Sequence, residues 1–163
     1  MAGVNTFEGG LNGRGKKFAV VAARFNEQVV DAMLEGTVAA FKAAGVNEED
    51  IQILRVPGCF ELPLVARRVA QQAREQNREL DAVVALGAVI RGDTPHFDYV
   101  SLGCTQGLMQ VTLELDMPVA FGVLNCDTED QAMERAGFGN RGNKGADAAN
   151  TVLEMVNVLS ALD

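Results

Sequence analysis

Four short, almost uninterrupted apolar runs set the strongest limit on what this chain can fold into: Phe18 to Ala23, Ile51 to Val56, Ala82 to Ile90 and Val119 to Leu124. A strand with one wetted face alternates polar and apolar residues, whereas a strand covered by helices on both faces reads as a nearly continuous apolar run. Amphipathic segments separate the runs. Val30, Met33, Leu34, Val38 and Phe41 recur at helical spacing and Gly45 supplies a stop. Pro63 opens a second helix, in which Leu64, Val65 and Val69 precede a charged tail ending near Arg78. A third is predicted over about Tyr99 to Leu115, where Gly103 and Gly107 permit close packing of another backbone. Thr128 and Gln131 make a capping box for a fourth that ends at Gly137, and Asp147 to Leu162 reads as a fifth. Strands alternating with helices predict an α/β fold: a three-layer α/β/α sandwich around a four-stranded parallel sheet, of flavodoxin-like form.

Length and charge narrow the classes of function. With 163 residues, 48% of them hydrophobic, the chain suits a single domain over residues 18–163, preceded by a lead-in over 1–17 that is expected to contact a neighbouring subunit. Its stretch Gly9 to Lys17 is rich in glycine and basic residues and predicts a turn or flexible entry, and the first few residues are expected to be ordered only by a partner. A formal net charge of −8 argues against nucleic acid and acidic membranes as partners. Met1 to Arg14 lacks the apolar core of a signal peptide and no run is long enough to span a bilayer, so a soluble, cytoplasmic protein is expected. Cys59, Cys104 and Cys126 form no CxxC pair and are expected to be reduced and mostly buried. With one histidine and no clustered cysteines, no metal site is expected.

In open parallel sheets ligands bind beyond the carboxyl ends of the strands, and here those ends are rich in chemistry. The exits are Arg24-Phe25-Asn26, Pro57-Gly58-Cys59-Phe60-Glu61, Arg91-Gly92-Asp93-Thr94-Pro95-His96-Phe97 and Asn125-Cys126-Asp127. Gly92, Asp93 and Thr94 read either as a helix cap or as a cradle whose amides face an anion. The spacing is not that of a P-loop, and no GxGxxG follows the first strand. Histidine is the side-chain type that titrates near neutrality, and His96 is the only one. It reads as structural or as a proton carrier. Phe25 is a core residue or a stacking platform for a planar ligand. Glu61 favours a helix start or accepts hydrogen bonds from ligand hydroxyls. Arg135 complements a helix end or grips an oxyanion through paired donors. Cys59 has no local base and reads as structural or pocket-lining. Gly137 to Gly145 reads as a hinge or sharply turned connection, too rich in Gly and Asn for helix.

Taken in order, these segments resemble the 6,7-dimethyl-8-ribityllumazine synthases. The motifs that carry the resemblance are Phe7-Glu8-Gly9, Ala23-Arg24-Phe25-Asn26, Val56 to Pro63, Leu86 to Gly92, Thr94 to Val100, Pro118 to Leu124, Glu134-Arg135-Ala136-Gly137 and Gly142-Asn143-Lys144-Gly145, which span nearly the whole chain. The resemblance implies an enzyme of riboflavin biosynthesis that condenses 5-amino-6-(D-ribitylamino)uracil with 3,4-dihydroxy-2-butanone 4-phosphate, releasing phosphate and water, without metal or organic cofactor. It implies that Phe25 stacks on the pyrimidine, that Asn26 and Glu61 hold the ribityl side, and that Gly58, Cys59 and Phe60 line the pocket. Ala88, Val89 and Ile90 would present backbone groups to the heterocycle. Gly92, Asp93 and Thr94 would cradle the phosphate with Arg135, His96 would carry protons, and Phe121 and Lys144 would come from the adjoining subunit.

The resemblance further implies a homo-oligomer, either a pentamer or a sixty-subunit shell, with riboflavin synthase as a candidate partner. The connection Gly137 to Gly145 is one residue longer than in shell-forming relatives, which favours a free pentamer. Cys59 stands where many relatives have alanine and would narrow the pocket slightly. Three rivals are weaker. A lumazine or flavin carrier needs neither Arg135 nor His96, a shell protein would have no use for the phosphate-site residues, and a flavodoxin-like electron carrier needs a phosphate loop after the first strand.

Overall fold

The computed structural model describes residues 3–162. Its sheet has four parallel strands, β1 (Phe18–Ala23), β2 (Ile51–Val56), β3 (Ala82–Ile90) and β4 (Val119–Cys126), in the order β2-β1-β3-β4. The first three coincide with the apolar runs, and β4 continues two residues past Leu124. β1 is buried along its whole length, as a central strand covered on both faces must be. Register places Phe18 opposite both Ile51 and Ala82, and Val83 opposite Val119.

The helices are α1 (Glu27–Ala43), α2 (Leu62–Glu75), α3 (His96–Leu115), α4 (Glu129–Arg135) and α5 (Lys144–Ser160). Alternation along the strands divides the core in two. Phe18, Val20, Val84, Leu86 and Leu124 face α1 and α5 with Met33, Phe41 and Leu153. Val21, Ala85, Val89 and Val123 face α2 and α3 with Leu62, Val69, Cys104 and Leu108. Phe18 stacks on Phe41 with ring centroids 4.3 Å apart.

Several helix boundaries differ from expectation, each for a local reason. α3 starts three residues earlier, so His96 occupies its first turn, and Thr94 Oγ1 accepts weakly from the His96 amide at 3.4 Å. α2 stops at Glu75, short of Arg78, because Asn77 takes a left-handed φ of 50°. α5 starts at Lys144 because the Asn143 side chain caps it, accepting from the amides of Gly145 (2.9 Å) and Ala146 (3.1 Å). The Thr128 cap of α4 holds, with Oγ1 accepting from Gln131 N at 3.2 Å, but the returning arm from Gln131 Oε1 takes the Asp127 amide rather than that of Thr128.

Glycine marks the closest helix contact. A Cβ on Gly145 would lie 2.0 Å from the Met33 carbonyl oxygen, so α5 starts in direct contact with the backbone of α1. Gly103 and Gly107 serve differently from the expectation of a backbone contact, since what fills the space beside them is the Phe60 ring and Pro63. In the lead-in, Gly9 packs on the backbone of α5, Asn157 Nδ2 donates to the carbonyls of Gly10 (2.8 Å) and Asn12 (3.1 Å), and the Gly13 amide donates to Ala44 O at 2.9 Å. The segment from Gly9 is therefore tied to its own subunit, while residues 1 and 2, on which the expectation of partner-induced order partly falls, lie outside the described residues. No helix among the described residues is long and apolar enough to cross a membrane.

Candidate functional site

The chain runs from β1 outward to β2 and then crosses to β3 on the other side of β1, so the strand order reverses beside β1, where a crevice opens. A cavity of about 760 Å³ lies at the carboxyl ends of β1, β2 and β3. Three backbone devices shape it. The β1–β2 ladder continues past the strands, Arg24 N donating to Val56 O (2.8 Å) and Phe25 N to Pro57 O (3.0 Å), which sets the Phe25 ring at the mouth with 72% of its surface free. Asn26 adopts a left-handed φ of 60°, and its Nδ2 donates to Ala88 O at 2.8 Å, bracing the β1 exit against β3. Glu61 Oε2 accepts from Gly58 N at 3.0 Å and closes the turn after β2.

Most of the residues singled out in the sequence converge here. Phe25, Gly58, Cys59, Phe60 and Glu61 form the β1 and β2 side; Ala88, Val89 and Ile90 form the floor; Gly92, Thr94 and His96 form the third side. Asn26 and Asp93 are neighbours of this lining rather than part of it. Pro57 and Phe97, which the sequence placed in the strand exits without a role, and Tyr99 and Val100, given no place in the site, complete the lining. Starting α3 at His96 would have found the last three, since residues 96, 97, 99 and 100 share its first turns.

The polar groups are few. Glu61, Thr94, His96 and the Tyr99 hydroxyl stand in a mostly apolar wall. The amides of Gly92, Asp93 and Thr94 donate to no protein oxygen among the described residues, and they precede a 20-residue helix whose positive end favours an anion. Cys59 lines the cavity as a buried free thiol. Burial, with the nearby Cys104 thiol and Glu61 carboxylate adding, pushes it up to about 12 against the hydrogen bond from the Ala88 backbone. Among the described residues no three His, Cys, Asp or Glu side chains gather as a metal site.

Three expected residues lie elsewhere. Phe121 stands mid-strand on β4, on the same face as Val119 and Val123, with 44% of its surface exposed. Arg135, in the last turn of α4, donates from Nη1 to Gln131 O at 2.9 Å, the helix-end role open to it from sequence. Lys144 opens α5 and pairs with Asp147 at 2.7 Å. None of the three lines the cavity of its own subunit.

Among protein families, the one described as 6,7-dimethyl-8-ribityllumazine synthase matches residues 15–160.

Proposed function

The chain belongs to the 6,7-dimethyl-8-ribityllumazine synthase family, transferases of riboflavin biosynthesis, and from that premise we propose that the cavity beyond β1, β2 and β3 is its active site, completed by a second subunit. The observation that carries this reading is the meeting of an exposed aromatic plate (Phe25), a carboxylate (Glu61), the sole imidazole (His96) and a helix N-terminus around one cavity.

The chemistry of the family's reaction fits these groups. The amine of the pyrimidine adds to the ketone of the butanone phosphate, the hydroxyl of the adduct leaves as water, phosphate is eliminated to leave a second carbonyl after tautomerisation, and the ribityl-bearing nitrogen closes the ring on that carbonyl with loss of a second water. Phe25 offers its face to the pyrimidine, and the backbone of Ala88, Val89 and Ile90 meets the ring's polar edge. Gly58, Cys59 and Phe60 close the wall around it. Glu61 has one carboxylate oxygen engaged by Gly58 and a second for a ribityl hydroxyl, while Asn26 orients that side by holding the β1 exit. Gly92, Asp93 and Thr94 offer amides to the phosphate at the head of α3. His96 takes the proton released when the amine adds and returns one to the leaving hydroxyl. Holding two small molecules in one orientation supplies a further share of the acceleration.

The family implies small-molecule substrates and an oligomer, and we take the oligomer to be a free homopentamer in the cytoplasm, with riboflavin synthase as a partner. Large apolar side chains left bare on α2 and α3, Leu64, Leu102, Met109 and Leu113, support a substantial interface on that layer. Phe121 and Lys144, exposed in their own subunit, and Arg135, half-buried at the end of α4, are the residues that would complete an adjoining cavity. Light scattering separates a pentamer from a sixty-subunit shell. The deciding assay mixes purified protein with the two substrates and follows the fluorescent lumazine; no acceleration over the spontaneous condensation rejects the assignment.

A further inference from the structure

Arg91 is absent from the cavity lining, yet its guanidinium holds together the segments that shape it. Its Nε donates to Asp127 Oδ1 at 2.8 Å, its Nη1 reaches Asp98 Oδ1 at 3.4 Å, and its Cζ lies 4.2 Å from the centroid of Phe97. Its amide donates to Cys126 O at 2.9 Å, carrying the β3–β4 ladder one bond past Ile90. From the active-site reading above, on which this inference rests, we infer that Arg91 is a positioning residue: it clamps the first turn of α3 to the loop after β4 and so fixes where His96 and the amides of Gly92 to Thr94 point.

The need for a clamp follows from the segment it spans. Gly92, Asp93, Thr94 and Pro95 are all exposed; Pro95 O accepts from Asp98 N (2.9 Å) and Tyr99 N (3.4 Å), while Gly92 to Thr94 are braced among the described residues only by the bond from His96 N to Thr94 Oγ1 at 3.4 Å. Asp98 lies one residue beyond Phe97, which lines the cavity beside His96, so pinning Asp98 and the Phe97 ring sets the turn that carries the imidazole. The second arm reaches Arg135. Asp127 N donates to Gln131 Oε1 at 2.9 Å, and Gln131 O accepts from Arg135 Nη1 at 2.9 Å. One planar, forked cation thus ties the substrate-facing loop of a subunit to the helix that carries Arg135. Lysine cannot copy this, because a point-charge ammonium does not lie flat on a ring while sending donors in the fixed fork that reaches Asp127 and Asp98 together.

A direct grip on the substrate phosphate is the competing role for Arg91, and the two roles predict opposite effects of removing its carboxylate partners. If Arg91 positions, Asp98→Asn and Asp127→Asn release the clamp and weaken both turnover and phosphate binding. If it binds phosphate itself, the same changes free its charge and tighten the site. The experiment measures kcat, the KM for each substrate and competitive inhibition by inorganic phosphate in the assembled enzyme. Wild type and His96→Ala serve as controls, and light scattering verifies assembly. Positioning predicts that Arg91→Met and Arg91→Lys both lower kcat about 10- to 100-fold, consistent with misplacement of reacting groups. The KM for the pyrimidine stays within about twofold, because that ring rests on the other side of the cavity. Asp98→Asn gives a partial defect in the same direction and, since the Asp127 contact survives, also serves if the Arg91 variants fail to assemble. Full activity in an assembled Arg91→Met enzyme, or tighter phosphate inhibition in Asp98→Asn, overturns the inference. An inactive wild type instead rejects the active-site reading itself.

Discussion

The two helical layers of this molecule are built to different standards of closure. Where α1 meets α5, the Gly145 contact brings backbone against backbone, and Asn143 stitches the seam by donating from Nδ2 to Ala32 O (2.9 Å) and Ala136 O (3.1 Å). The other layer is unfinished. α3 buries Cys104, Leu108, Val111 and Leu115 on one side but leaves Leu102, Met109 and Leu113 bare on the other, Leu113 at 74% exposure. The cavity opens mainly on this second layer, since Cys59, Val89, Phe97 and Val100 all belong to its core. The difference teaches that one face is closed within the subunit while the other is left open, the face to which the proposed second subunit is assigned.

The contrast can be broken by substitution. Gly145→Ala drives a methyl into the Met33 carbonyl, a clash with rigid backbone that should cost about 3 kcal/mol or more, at the upper end of overpacking penalties. Thermal denaturation should show a drop in midpoint of about 10 °C or more for a domain of this size. Leu113→Ser on the open layer should leave secondary structure intact and lower the oligomeric mass seen by light scattering. Equal loss of subunit stability from both changes would erase the distinction between the layers.

The site yields the next effect in size. His96→Ala should lower kcat about 10- to 100-fold without abolishing it, because substrate amines and water carry part of the proton traffic. A rate equal to wild type would remove the imidazole from the mechanism.

What the sequence made legible was the sheet, because short continuous apolar runs spaced by amphipathic helices bury themselves most readily as strands covered on both faces. With the sheet came the rim where the site sits. Phe25, Glu61 and His96 stand out there as residues that a plain polar loop does not require. Boundaries set by single side chains are harder to read. Asn143 and Gly145 look like loop formers, but one is a helix cap and the other a packing contact that depends on α1 lying alongside. The bond from Asn26 to Ala88 likewise depends on β1 and β3 being neighbours, and no local pattern encodes that adjacency. Phe97, Tyr99 and Val100 stay hidden when α3 is started three residues too late.

The smallest expected effect concerns the thiols, which sharpen the comparison from inside the cavity. Cys59 lines an open pocket yet, like Cys104, is pushed from the ordinary value of 9.0 up to about 12 by burial. Both keep their protons in the fold and release them more readily on unfolding. Their contribution to stability is therefore complete below about pH 9 and is lost as pH rises toward 12. Iodoacetamide at about pH 8 should leave both unlabelled in native protein and label them after denaturation, as read by mass spectrometry; rapid native labelling of Cys59 would show an activated thiol instead.

The central claim is that the active site forms at a seam, with His96 from one subunit and Arg135 from the next. Co-expressing His96→Ala and Arg135→Ala subunits under different tags, and purifying oligomers that carry both, tests it directly. A shared site predicts activity well above that of either parent oligomer, because some seams regain an intact imidazole and an intact guanidinium together. Activity no greater than the average of the two parents would contradict it.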